Sequence, residues 1–149
     1  MLLLSQKEVN FFTQEITDLV EKMGEFQTRI GFFVKLEDAK QMSLSIHEIL
    51  QLYKSITEIR HLISLTLLRT INAQTPSNLF QIADVKEIEE IVNKTKADEN
   101  YAQRLIMNAP EYTEYFKKEI LFGTITDNLR SIPSFIIRIN RWLRNPVCE

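Results

Sequence analysis

The sequence predicts an all-α fold: a helical bundle built on a long antiparallel helical hairpin with several shorter helices. Three observations carry that expectation. Apolar residues recur at alternating steps of three and four from Val9 to Phe33, the spacing of a helix that turns one stripe toward a partner helix. Glycine and proline are scarce, 3 and 4 among 149 residues, which removes the punctuation a loop-rich β protein needs. Strict alternation of apolar and polar residues is not sustained anywhere, and short apolar runs such as Gly31 to Val34 fall at expected helix ends.

The first helix is expected from about Ser5 to about Phe33, with Val9, Phe12, Ile16, Leu19, Met23, Phe26, Ile30 and Phe33 forming a heptad seam. Ser5 and Glu8 have the spacing of a capping box, in which each side chain satisfies a backbone N–H at the helix start. Gly24 weakens the helix interior, and Gly31 is a possible stop. A second helix is expected from about Ser45, where Glu48 repeats the capping spacing, to about Ile71, before the turn-rich run Asn72 to Asn78. Its face Ile46, Ile49, Tyr53, Ile56 and Ile63 opposes Gln51, Lys54, Ser55, Glu58 and His61. Beyond Leu62 the apolar character spreads around the circumference, which places this helix at the centre of the fold.

The second half reads as shorter pieces. Asp84 and Glu87 open a helix carrying Val85, Ile88, Ile91 and Val92, and the polar run Asn93 to Asn100 loosens it before another with Tyr101, Leu105 and Ile106. Pro110 suits the first turn of a helix presenting Tyr112, Tyr115, Phe116, Ile120 and Leu121, with Gly123 as its end. Thr124 with Asp127 starts the next, and Pro133 separates it from a last helix, Phe135 to Arg144. No internal repeat, low-complexity tract or long linker divides the chain, so residues 1–149 read as a single helical domain of about six helices.

Composition narrows the function classes. A net charge of −2 supplies no overall field for nucleic acid or an anionic membrane, so any such binding must be local. The lone Cys148 excludes an internal disulfide framework and fits a cytoplasmic location. The opening Leu2, Leu3 and Leu4 are followed at once by polar residues, too short for a signal peptide, and no run approaches the ~20 apolar residues of a membrane span.

Metal binding, catalysis and cofactor binding find little support. Glu58 and His61 match the Glu-x-x-His spacing of dinuclear metal bundles once, but His47 has Leu44 at that offset, and the two histidines stand about 21 Å apart along one helix. Cys148 is expected in a frayed tail, which seldom supplies an environment that stabilises a thiolate, although Arg144 is near in sequence. Three scattered glycines form no phosphate-cradling loop. No Arg precedes a His by the offset a helical ribonuclease family uses, and Glu15, Asp18, Glu21 and Glu25 read as a solvated face rather than paired catalytic carboxylates. No catalytic residue, metal ligand or cofactor is therefore expected.

Charge is segregated in one place. From Asn128 to Cys148 there are four arginines, Arg130, Arg138, Arg141 and Arg144, and no acidic residue. Phe135, Ile136, Ile139, Trp142 and Leu143 alternate with them at helical spacing. Three readings compete. The stripe packs on the bundle while the arginines complement the helix C-terminus or pair with acidic residues elsewhere, for example those between Asp84 and Glu99; the arginines meet phosphates of nucleic acid or lipid head groups; or Trp142 and its basic neighbours form a hot spot for a partner protein. Adjacent Phe11 and Phe12, and Phe32 and Phe33, also put aromatic bulk on more than one side of the first helix, which would favour a homodimer if the monomer leaves it uncovered.

These readings predict a non-catalytic module, an adaptor, inhibitor or assembly subunit, that presents a helical surface to another protein or to a second copy. Binding of nucleic acid or an anionic membrane surface through the C-terminal arginines is the alternative. The candidate interaction surface is Arg130, Arg138, Arg141, Trp142 and Arg144.

Overall fold

A computed structural model describes residues 2–74, 82–108, 118 and 123–143. Among them lie five helices and no strand: α1 Gln6–Phe33, α2 Ala39–Gln74, α3 Ile82–Asn108, α4 Thr124–Arg130 and α5 Ile132–Leu143. The helix expected after Pro110, with Tyr112 to Leu121, falls almost entirely outside the described residues.

The start of α1 is built as its sequence predicts. Ser5 Oγ accepts from the Glu8 N–H at 3.2 Å, and the Glu8 carboxylate accepts from the Ser5 N–H at 3.0 Å. Ser5→Ala removes one half of that exchange and is expected to lower the unfolding free energy by about 1 kcal/mol, read by urea denaturation. Gly31 does not stop the helix, which runs through to Phe33. The seam then divides in two. Phe12, Leu19, Phe26 and Phe33 are buried, whereas Val9, Ile16, Met23 and Ile30 are only partly so. Within the paired aromatics, Phe12 and Phe33 go inward, Phe11 meets Phe12 edge to face with centroids 5.4 Å apart, and Phe32 remains 67% exposed.

The expected start of α2 at Ser45 is six residues late. The helix begins at Ala39, where Asp38 Oδ1 accepts from the Gln41 N–H at 2.9 Å and so satisfies a donor of the first turn. This start adds Met42 to the buried face. The hairpin is antiparallel: Leu3 exchanges hydrogen bonds with the Gln74 side chain at one end, and Arg29 pairs with Glu48 toward the other.

The largest departure is α3. The run Asn93 to Asn100 does not interrupt a helix but lies within one of 27 residues. Ile88, Ile91, Thr95, Asp98, Ala102 and Leu105 are all buried and are spaced by threes and fours, so the seam continues through polar and small residues. On α2 a matching buried stripe, Tyr53, Thr57, Arg60, Ser64, Leu67 and Ile71, has the same steps. Ser64 Oγ stands 2.9 Å from Thr95 Oγ1, and Arg60 faces Asp98. Polar side chains are accommodated in this seam where they meet one another across it, Ser64 with Thr95 and Arg60 with Asp98.

Thr124 is the first residue of α4 rather than its cap, a position taken by Gly123 without a side-chain hydrogen bond. Pro133 sits in the first turn of α5: it has no N–H to continue a ladder from α4, which explains the break at Ser131. The α4–α5 segment contacts both outer helices. Asn128 donates to Tyr53 Oη, Phe135 lies under Arg60, and Arg138 reaches Glu87, while Leu129 and Leu143 border α1. The chain thus runs up, down and up through α1, α2 and α3, and α4–α5 returns downward between α1 and α3. None of the described helices is long and apolar enough to cross a membrane.

Candidate functional site

Where α4–α5 meets α1 the fit is incomplete. A cleft of about 450 Å³ is lined by Leu4, Val9, Phe12, Thr13, Ile16, Thr17, Asn140 and Leu143. Farther along the same seam a second cleft, of about 340 Å³, is lined by Met23, Phe26, Gln27, Ile30, Thr126, Leu129, Arg130 and Pro133. The four partly buried seam residues, Val9, Ile16, Met23 and Ile30, all line one cleft or the other. From Val9 to Ile30 is about 31 Å of helix at 1.5 Å per residue. One heptad set of α1 is therefore buried, although Phe12 and Phe26 also reach the clefts, while every member of the other set is only partly buried and lines one cleft or the other. Next to it, Val20 is 48% exposed, and beyond the helix's own adjacent backbone no heavy atom comes within 4 Å of a methyl group added at Gly24 or Gly31.

The arginines singled out from the sequence do not form one patch. Arg138 Nη2 lies 3.0 Å from Glu87 Oε1, with its side chain 41% exposed, which is the pairing with the acidic stretch Asp84 to Glu99 expected above. Trp142 is half-buried against the core. Arg130 and Arg141 are exposed, with Arg130 beside the second α1 cleft, and Arg144 lies outside the described residues. Arg130 and Arg138 flank opposite sides of α4–α5, since Arg138 borders a third cleft that faces α2 and α3.

A buried polar cluster underlies that third cleft, and the sequence reading did not find it. Asp98 is 4% exposed and Arg60 5%. Arg60 Nη1 lies 3.6 Å from Asp98 Oδ2, an ion contact too long for a hydrogen bond, and its guanidinium stacks 5.0 Å from the centre of the Phe135 ring. Lys94 Nζ donates to Asp98 Oδ1 at 2.7 Å and reaches Asn128 Oδ1 at 3.5 Å. Arg60 Nε and Asp98 Oδ2 have no hydrogen-bond partner among the described residues. Desolvation pulls the Arg60 guanidinium below its ordinary value, against the opposing pull of Asp98 and Tyr53. The signal available in the sequence was positional: Thr95 and Asp98 continue the heptad of Ile88 and Ile91.

The two histidines stand apart on α2. His61 Nδ1 is 3.2 Å from Thr95 Oγ1 on α3, so this ring faces a helix rather than lying wholly on the polar stripe, and His47 is exposed beside Arg29 and Glu48. Among the described residues no three His, Cys, Asp or Glu side chains gather as a metal site. On α1, Glu21 and Glu25 are exposed as expected, but Glu15 and Asp18 are half-buried. Desolvation, aided by Asp18, raises the Glu15 carboxyl above its usual range. Its contribution to stability is therefore greatest at low pH and fades as pH rises through the raised value.

Comparison of the chain with protein-family models, with curated proteins and with solved structures gives no match.

Proposed function

We propose that this chain is a non-catalytic interaction module of the cytoplasm, an adaptor, inhibitor or assembly subunit, that takes an amphipathic helix of a partner protein into the α1 seam. One observation supports the reading above the rest: an entire heptad set, Val9, Ile16, Met23 and Ile30, is left bordering clefts along about 31 Å of helix. Helix-in-groove recognition uses apolar anchors at i, i+3, i+4 and i+7, and two clefts in line over this length would take the anchors of a partner helix of about 20 residues. Self-association through the same seam would satisfy the same surface and is distinguished by mass in solution.

The test is capture of a partner by wild type and by an Ile16→Glu/Met23→Glu double variant, with the contact mapped by cross-linking. The expected result is cross-links to the stretch Val9 to Ile30 that the double variant loses while keeping its helical circular dichroism. Retained capture by the double variant, or turnover of a substrate by the pure protein with no partner recovered, would remove the proposal. Nucleic-acid or membrane-surface binding is supported less, because Arg138 is already paired with Glu87. It predicts salt-dependent binding that falls when Arg138, Arg141 and Arg144 become Glu.

A further inference from the structure

We infer that the cleft between α2, α3 and α5 is a binding site for a compact organic monoanion of the carboxylate class, with Arg60 as its buried cation. The cleft measures about 320 Å³ and is lined by Arg60, Glu90, Ile91, Lys94, Thr95, Ser131, Ser134, Phe135 and Arg138. That size lies at the lower end of small-molecule pockets. It sits on the opposite side of α4–α5 from the α1 seam, so it is independent of the function proposed above.

The argument starts from an unmet requirement. A guanidinium carries five N–H donors in a planar fork, and a buried donor without a partner is costly. Arg60 is 95% buried, approaches Asp98 at 3.6 Å and lies against the face of Phe135. Neither is a hydrogen bond, and Nε has no partner. Yet the residue borders an open cleft whose other walls offer the Lys94 ammonium, the Arg138 guanidinium and the hydroxyls of Ser131 and Ser134. A carboxylate entering it would give the fork of Arg60 the acceptor geometry it matches best. Ile91 and Phe135 supply apolar wall for the ligand's carbon skeleton.

Charge selects the class. The cations Arg60, Lys94 and Arg138 are offset by Asp98 beneath the cleft, by Glu87 on Arg138 and by Glu90 on the wall. A site already balanced in this way has no surplus positive charge to offset the larger desolvation cost of a dianion, which sets carboxylates ahead of phosphate. Glu90 is the one wall residue that opposes any anion. Neutralising it should therefore strengthen binding, an effect that a merely structural role for these residues would not produce.

The experiment follows the Arg60 Nε–H resonance by nuclear magnetic resonance during titration with acetate, with inorganic phosphate and with chloride at matched ionic strength. Arg60→Lys assigns the signal if that variant folds. If it does not, backbone resonances of Ser134 and Thr95 report on the same cleft. Acetate is expected to give a saturable shift with a dissociation constant of roughly millimolar size, as a ligand of four heavy atoms allows. Arg138→Gln and Ser134→Ala should each weaken it severalfold, and Glu90→Gln should tighten it severalfold. An identical shift with chloride, or none with acetate, would overturn the site. Tighter binding of phosphate than of acetate would overturn the assigned class.

Discussion

Asp98→Ala is expected to lower the free energy of unfolding by about 3–5 kcal/mol, the penalty for leaving a buried charge without its partner. Arg60 is 5% exposed and rests on Asp98 for its ion contact, so the alanine variant strands a guanidinium between α2, α3 and α5. It also takes from Lys94 its 2.7 Å acceptor. The pair itself contributes far less than this loss suggests. Replacing both members, as Arg60→Met with Asp98→Leu, removes both desolvation penalties and fills the space with apolar volume. The double variant is expected within about 1 kcal/mol of wild type, or above it. Urea denaturation of Arg60→Met, of Asp98→Leu and of the double closes the cycle. An Asp98→Ala cost below about 1 kcal/mol would mean that Arg60 is not stranded there at all.

The second large effect separates the two halves of the α1 seam. Leu19 is fully buried, and Leu19→Ala is expected to cost about 3–5 kcal/mol, the lost transfer energy plus the cavity it leaves. Ile16 lines an existing cleft, so Ile16→Ala enlarges open space instead of creating a void. Its cost should be about 1 kcal/mol, the transfer term of a partly buried side chain alone. Thermal or urea unfolding of both variants reads the contrast. Equal losses would mean that Ile16 is as much part of the core as Leu19.

That contrast also marks how far the sequence could be read. The α1 seam was legible because eight apolar residues keep a heptad without interruption and Ser5 with Glu8 fixes its start. Which heptad set is sealed was not, since that depends on where residues 126–143 come to lie, about a hundred positions later. In α3 the same spacing holds, but Thr95 and Asp98 occupy seam positions, so a reading based on oiliness saw a polar break where there is a buried polar interface. The start of α2 was missed for a smaller reason. Asp38 caps through the Gln41 N–H, and Ser45 with Glu48 offered a competing cap farther along. Among the C-terminal arginines, the sequence supplied the acidic stretch that holds Arg138 but not the separation of Arg130 and Arg138 onto opposite sides of α4–α5.

Thiol labelling tests the half-open seam most directly, by comparing Ile16→Cys with Leu19→Cys in a Cys148→Ser background under native conditions. Residues sealed in a core react only through opening events, which cost up to the global stability. The account predicts that Ile16→Cys reacts at least about a hundredfold faster than Leu19→Cys, a gap of about 2.7 kcal/mol in opening free energy. Equal protection of the two thiols would contradict it, because α1 would then have no free apolar edge to offer a partner.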